Sequence, residues 1–382
     1  MTEEEKIYIH WLCQAAGTGN RRFLQSLELL GTPREIYHLA ASGRLTEKLS
    51  KRWEKKAAQM EAFAKSCDAR GSYEHMIRKG IRLVSQKEEA FPKRLAKIPD
   101  TPYVLYYAGS LPPEGKKAVA LIGARDCTEY GRYMAGQFGM ALAKAGIQVI
   151  SGLARGIDCM GQNRALREGG YSMGVLGCGV DICYPGENRE LYEALLENGG
   201  VCSEYPPGAP PKAVHFPPRN RIISGLSDAV LVIEARVKSG TLITVDMALE
   251  QGREVYALPG RATDPLSSGC NSLIRQGAGL VSSPGELLEE LLGSSPGREA
   301  CVQTSLPFLE GVQGELLSLL DCNPLSVQQL QQNYEEKYKK PMLLPLLFKE
   351  LLELCAGGYA GQVGGGYYVR LFPAPTVSKR KL

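Results

Sequence analysis

"IQVISGLARGID", residues 147–158, is the stretch on which the fold turns. Its first part, to Ser151, is an apolar run without the strict alternation of a half-wet strand, so it reads as a strand covered on both faces. Its second part sets Gly152 and Gly156 on either side of Arg155 and leads into a helical pattern over 155–168. Strand, glycine turn and helix follow one another within a dozen residues.

The same unit repeats outward. Apolar runs recur at "AVALIG" (118–123), "SMGVLG" (172–177), "AVLVIE" (229–234) and "EVYALP" (254–259), with helical patterns over 129–145, 187–198 and 240–251. Buried strands alternating with helices predict a parallel sheet with helices on both faces, the α/β doubly wound class. Ligands of such sheets bind where loops leave the carboxyl ends of the strands. The residues after each run are therefore the candidate site: Gly123 and Arg125; Ser151, Gly152, Arg155 and Asp158; "GCGVDICYPGEN" (177–188); and Lys238, Ser239, Gly240 and Thr241. "FPPRNRIISGLSD" (216–228) precedes the fourth run as a short helix with Arg219, Asn220 and Arg221 at its start. Glycines admit a ligand close to the backbone, helix starts offer free amides and a positive dipole end, and Arg and Lys add charge-assisted donors. Several such loops on one edge suit more than one phosphate. Phe216, Tyr130 and Tyr184 are open to two readings, as stacking platforms for bases or as packing.

Known nucleotide signatures fit badly. "GSLPPEGKK" (109–117) has a residue too many between its glycines, ends in Lys where a Ser or Thr should hold magnesium, and precedes a strand. "GCGVDI" lacks the third glycine of a dinucleotide fingerprint. His215 is the one histidine of the α/β region, and no Gly-x-Ser-x-Gly elbow appears. Asp158, Asp246 and Glu234 are the carboxylates near the loops, and Asp158 reads as a helix cap or an orienter of Arg155. No catalytic residue, metal site or cofactor is expected.

Composition bounds the class. The chain has 382 residues, 44% hydrophobic and 23% charged, long enough for two or three domains. The net charge of +4 makes any basic surface a local one. Eleven scattered cysteines and an acidic N-terminus without an apolar leader predict reduced, packing cysteines in a cytoplasmic protein. No apolar run reaches the roughly 20 residues of a membrane span.

Three regions separate. Residues 1–80 read as short helices broken at "GTGN" (17–20) and "GTP" (31–33), similar to helix-hairpin-helix or SAM-like modules, which serve either as packing units or as DNA-backbone contacts. Residues 81–292 hold the α/β core. After a small, polar linker over 293–305, residues 306–382 read as a winged helix with helical patterns over 311–320, 326–337 and 342–354, a Gly-rich wing over 356–371 and a basic "KRKL" tail.

The ordered series "SGLARGID", "GCGVDICYPGENREL", "SEYPPG", "FPPRNRIISGLSDAVLVIEA", "KSGTLIT", "ALEQGREVYALPG" and "GCNSLIRQGA" closely resembles the DprA (Smf) family of DNA-processing proteins. The likeness extends to both flanking regions. It implies an extended Rossmann core that binds single-stranded DNA without sequence preference, forms a homodimer, and loads the RecA recombinase onto DNA during natural transformation. By motif, the DNA-binding residues it implies are Gly123, Arg125, Ser151, Gly152, Arg155, Phe216, Arg219, Asn220, Arg221, Lys238, Ser239 and Gly240. The implied dimer surface carries Asn271, Leu273, Ile274 and Gly277. Gly161-Gln162 stands where family members usually have Ala-His. The recognition position of the winged helix, "MLLPLLFKELLEL" (342–354), has one Lys349 and no Arg, so this region is not expected to be the main DNA contact.

Two rivals remain. The core also resembles a Rossmann group that cleaves nucleoside monophosphates, although Thr244 stands at the position of that group's glutamate. A small-nucleotide sensor with a winged-helix output is the other.

Overall fold

The computed structural model describes residues 1–19, 21–293, 311–321, 324–357, 359–363 and 366–371. The linker over 293–305, save Gly293, and the "KRKL" tail lie outside the described residues. The chain divides into two compact units, Met1–Asp126 with Ala135–Leu288, and Cys127–Met134 with Glu289–Leu382.

The first unit is built on a sheet whose described strands are β1 (Arg82–Ser85), β2 (Val104–Gly109), β3 (Ala118–Ile122), β4 (Gln148–Ser151), β5 (Ser172–Val175), β6 (Gly200–Ser203), β7 (Ala229–Val232), β8 (Glu254–Ala257) and β9 (Gly279–Leu280). Their order is β1-β2-β6-β5-β4-β3-β7-β8-β9. From β6 to β9 every neighbour pair is parallel, while β1 and β2 join antiparallel at one edge, Tyr106 facing Ser203 of β6. The doubly wound expectation holds, and the continuous apolar runs have their cause: all residues of β3, β4, β5 and β7 are buried.

From β3 the chain steps outward through β4, β5 and β6. It then returns to lay β7 on the other side of β3, in register Leu121 to Leu231. The direction of winding reverses at β3 and β7, and a crevice opens beyond their carboxyl ends, as in other sheets of this class. Helix Phe216–Gly225 and helix Gly240–Glu250 cover one face through Ile222, Ile223, Leu226, Val245 and Ala248.

The N-terminal helices share their core with the sheet. Trp11, Leu12, Phe23, Leu27 and Ile36 belong to one buried cluster with Leu83, Val104, Tyr106 and Leu153. Thr2 and Thr32 start two of these helices with complete capping boxes. A buried polar contact crosses the junction. His10 is 1% exposed, with Nδ1 3.1 Å from the Tyr106 hydroxyl and Nε2 3.2 Å from that of Ser72.

In the second unit, Gly311–Leu317, Val327–Tyr338 and Leu344–Ala356 are helical. They accompany β10 (Leu325–Ser326), β11 (Ala360–Gln362) and β12 (Tyr367–Arg370), in the antiparallel order β10-β12-β11. Leu316, Leu330, Tyr334, Leu347, Leu351 and Tyr368 form its core. The described cysteines are free thiols, and burial pushes those of Cys13, Cys202 and Cys270 up to about 12. No described helix is long and apolar enough to cross a membrane.

Burial pulls the His10 pKa from 6.5 down to about 4. The unfolded chain takes up this proton near pH 6.5 and the folded one does not. Stability linked to His10 is therefore complete above about pH 6.5 and falls by about 3 kcal/mol as pH approaches 4. Both tryptophans, Trp11 and Trp53, lie in this region and report its unfolding. Urea midpoints followed by their fluorescence should drop across that window, and His10→Gln should flatten the dependence. Equal slopes for the two proteins would remove His10 as the acid-sensitive group.

Candidate nucleic-acid interface

The crevice at the winding reversal holds a cavity of about 660 Å3. Its walls come from the loop after β3 (Gly123 to Asp126), the loop after β7 with the start of helix Gly240–Glu250, and the first turn of helix Phe216–Gly225. A smaller cavity of about 190 Å3 lies beside it, and Arg125, Ala154, Tyr184, Phe216 and Arg219 line both.

Beneath them is a buried guanidinium. Arg219 is 5% exposed; its Nη1 donates to Gly152 O at 3.0 Å and to Val175 O, the carboxyl ends of β4 and β5. Asp158 lies alongside, its Oδ2 accepting the Gly152 amide at 3.0 Å. Burial pulls the Arg219 pKa down to about 10 although Asp158 opposes this, and the Arg125 charge adds to the depression. Burial likewise raises the Asp158 pKa against the pull of Arg219. Position 152 must be glycine, since a Cβ there would sit 2.6 Å from Arg219 Nη1 and 2.9 Å from Asp158 Oδ2.

The next residue, Leu153, is buried at φ 54°, a left-handed conformation unusual for leucine. Two side chains hold it: Gln162 Oε1 accepts its amide at 3.2 Å, and Asn188 Nδ2 donates to its carbonyl at 2.9 Å. Gln162 also donates to Ser172 Oγ at 3.1 Å and Met173 O at 3.0 Å. Gln162 thus clamps the turn after β4 to β5 below the site. A Cβ at the adjoining Gly161 would meet Leu121 at 2.7 Å.

Helix Gly240–Glu250 offers the open amides. Its N-cap, Ser239, makes no side-chain capping bond, and the buried Ser239 Oγ has no protein partner in the crevice wall. Thr241 Oγ1 instead donates to Gly123 O at 3.2 Å, tying the loop after β7 to the loop after β3. An anion placed here would meet helix amides, a hydroxyl and the positive dipole end together. Buried Arg219 Nε also lacks a partner.

The other two helix starts differ from the sequence reading. The start of Ile157–Arg167 has no side-chain cap, so Asp158 is not the cap that its position suggested; the amides of Ile157 and Cys159 are already taken by the carbonyls of Ala124 and Ala154, both at 3.2 Å. The start of Phe216–Gly225 carries Pro217 and Pro218, which have no N–H, so free amides are fewer there than expected.

The exposed cations sort apart from the buried ones. Arg125 and Arg236 stand exposed on the crevice rim, and Lys238 is exposed on the same loop but not among the lining residues. Arg155 lines the smaller cavity and pairs with Glu187 at 3.3 Å and Asp126 at 3.8 Å rather than with Asp158. Tyr184 and Phe216 lie with ring centroids 5.5 Å apart at 34°, forming an aromatic ridge between the cavities.

Arg221 is not brought to this crevice. Its side chain is 11% exposed and pairs with Glu204 at 2.6 Å and Asp100 at 2.9 Å, lining a separate cavity. The helical turn that aims Arg219 at the sheet ends aims Arg221 away from them. Ser151 is buried and donates to Leu121 O at 2.6 Å, joining β4 to β3. Asn220 and Gly240 line the crevice. His215 stacks on Tyr205 at 4.0 Å and lies 3.1 Å from Gly177 O, the structural role expected of a loop histidine. Thr244 is buried in the crevice lining. Among the implied dimer residues, Asn271 commits both ends of its amide to Gly260, Leu273 and Ile274 pack half-buried on the chain's own core, and Gly277 is exposed. Arg236 escaped the sequence reading, although its position two residues after the fourth apolar run was a usable signal.

The family model for DNA recombination-mediator protein A matches residues 82–292, and the chain belongs to that family. Protein Smf of Escherichia coli is 39% identical over 305 residues, 76% of this chain and 77% of its own length. DNA processing protein DprA of Streptococcus pneumoniae is 41% identical over 203 residues, 53% of this chain and 72% of its own. The X-ray structure of that pneumococcal protein superposes with a TM-score of 0.62 at 33% identity, covering 74% of this chain and 97% of the other. DNA processing protein A from Helicobacter pylori, solved for its single-stranded DNA binding mode, gives a TM-score of 0.51 at 28% identity, covering 56% and 96%.

Two classes of arginine predict two phenotypes. Arg219→Ala leaves Asp158 buried without its counter-charge, and Arg221→Ala does the same to Glu204; each should lower stability by about 3 kcal/mol or more. Gly152→Ala should lower it by about 1–3 kcal/mol through overpacking. Arg125→Ala, exposed, should stay within about 0.5 kcal/mol of the parent. Denaturant melts check the order, and a wild-type melt for Arg219→Ala would contradict the burial argument.

Proposed function

We propose that this chain binds single-stranded DNA without sequence preference in the crevice at the ends of β3 and β7, and hands the strand to the RecA recombinase during natural transformation or related recombination. The observation that carries this reading is the unspent anion site beside exposed cations: the uncapped start of helix Gly240–Glu250, the partnerless Ser239 hydroxyl, and Arg125 and Arg236 on the rim. Phosphates would bind at those donors, and bases would rest on the Tyr184–Phe216 ridge. Donors aimed at phosphates and an aromatic surface indifferent to base identity are what sequence-independent strand binding needs.

The site reads as binding rather than catalytic. Asp158 is tied to the Gly152 amide and the buried Arg219, and Thr244 offers no carboxylate for glycosidic cleavage. The family's description as recombination mediators supports a recombinase as the receiving partner. We place the homodimer surface near the exposed end of helix Ser268–Arg275 around Gly277, beside the edge strand β9, an open strand edge suited to pairing with a second copy.

Anisotropy titrations of labelled single strands of increasing length, and of a duplex, test the reading. Affinity should grow with strand length and exceed that for duplex. It should fall steeply with salt, by about 0.7 in log–log slope per phosphate contact. Arg125→Ala should weaken binding several-fold without changing the melt. Duplex binding equal to single-strand binding, or affinity independent of length, would refute strand binding. Release of free base from a nucleoside monophosphate would favour the enzyme instead. RecA filament growth on a strand precoated with single-strand-binding protein should quicken when this protein is added.

A further inference from the structure

Charge on this molecule is concentrated where the crevice does not reach. Residues 42–66 carry seven lysines and arginines against three glutamates, so their net charge equals the +4 of the whole chain. This stretch contains helix Glu54–Ser66, which buries Ala57, Met60 and Ala64 and turns its other side outward. Lys48, Lys51, Arg52 and Lys55 are exposed, and among the described residues none has a carboxylate at ion-pair distance. Other cations of the same helical region do pair: Arg34 with Glu4, Arg78 with Glu74, Lys79 with Asp181 and Lys87 with Glu28. One of the three glutamates, Glu61, is engaged by the Thr46 amide at 2.7 Å.

Aromatic rings lie under the cations. Phe23 and Trp53 have centroids 5.0 Å apart, Arg52 sits 4.9 Å over Trp53, and Lys56 lies 4.9 Å over Phe23. A cationic face around one half-buried ring, Trp53, with no exposed large apolar residue between 42 and 66, suits a nucleic-acid backbone better than a membrane, which would need an apolar edge to insert.

The face is also connected to the crevice. Pro217 lines the crevice, and the next residue, Pro218, lines a cavity of about 190 Å3 together with Thr18 and Leu24. Leu24 follows Phe23, which touches Trp53. The N-terminal helices and the start of helix Phe216–Gly225 thus share the walls of one cavity in the first unit.

We propose that the face formed by Lys48, Lys51, Arg52 and Lys55 is a second contact surface for the phosphate backbone, and takes the single strand where it leaves the crevice. This rests on reading the crevice as the primary strand site. It gives the N-terminal helices a role in strand length and direction that the crevice alone does not supply.

The test uses the full chain, the variant K48Q/K51Q/R52Q/K55Q, and oligo-dT of about 6 and about 30 nucleotides, the shorter matched to one binding site. The variant should bind the long strand at least tenfold more weakly at low salt. Its salt slope should be shallower by about 2–3, because the phosphates those four cations neutralise keep their counterions. Its binding of the short strand and its melt should match wild type, while Arg125→Ala weakens both strands. The reversal K51E/R52E/K55E should lower long-strand affinity further. An unchanged affinity and salt slope for the long strand in the glutamine variant would overturn the proposal while leaving the crevice reading intact. Loss of binding to anionic phospholipid vesicles with strand binding unchanged would also overturn it, in favour of a membrane. Failure of wild type to bind either strand would bring down the crevice reading and this inference with it.

Discussion

A guanidinium buried at the carboxyl edge of the sheet organises everything around it. Arg219 reaches the ends of β4 and β5 from a helix on one face and meets Asp158 from a helix on the other. Gly152 has no side chain because that contact leaves no space for one. Leu153 then turns through a left-handed conformation, held by Gln162 and Asn188. A charge taken out of water is tolerable only with partners of this quality, and the loops that supply them cannot move independently. The base of the crevice is electrostatic.

That constraint explains why the basic residues of one short helix do different work. Arg219 and Arg221 are separated by two positions, enough to send one under the crevice and the other to Glu204 and Asp100. Both hold structure. The exposed cations are Arg125, Arg236 and Lys238 on the loops, beside the uncapped start of helix Gly240–Glu250, and on the proposed reading these meet the phosphates. Binding a flexible polyanion needs both parts, a fixed set of dipoles and a few solvated cations that can adapt.

Much of this was legible in the sequence. Continuous apolar runs announced a sheet buried on both faces, and the glycine loops after them marked the edge where the crevice opens. The position of β7 beside β3 was not legible, because strand order is set by long-range packing that no local pattern records. The exchange of roles between Arg219 and its neighbours was hidden for a related reason. A side chain's burial depends on what distant elements bring, here Asp158 from helix Ile157–Arg167 and Glu204 from just past β6. The missing amides at Pro217 and Pro218 were visible in the letters themselves, since proline carries no N–H. The shared core of the N-terminal helices and the sheet, through Trp11, Tyr106 and Leu153, could not be read from the glycine breaks that punctuate those helices.

The central claim is that phosphate is held at the start of helix Gly240–Glu250, at the reversal of the sheet. A crystal structure of the protein with a short oligo-dT tests it most directly. The account predicts a phosphate within hydrogen-bond reach of the Gly240 and Thr241 amides and Ser239 Oγ, with Arg125 on the same or the adjoining phosphate. A strand bound with that helix start still empty, its phosphates on the C-terminal unit instead, would contradict it.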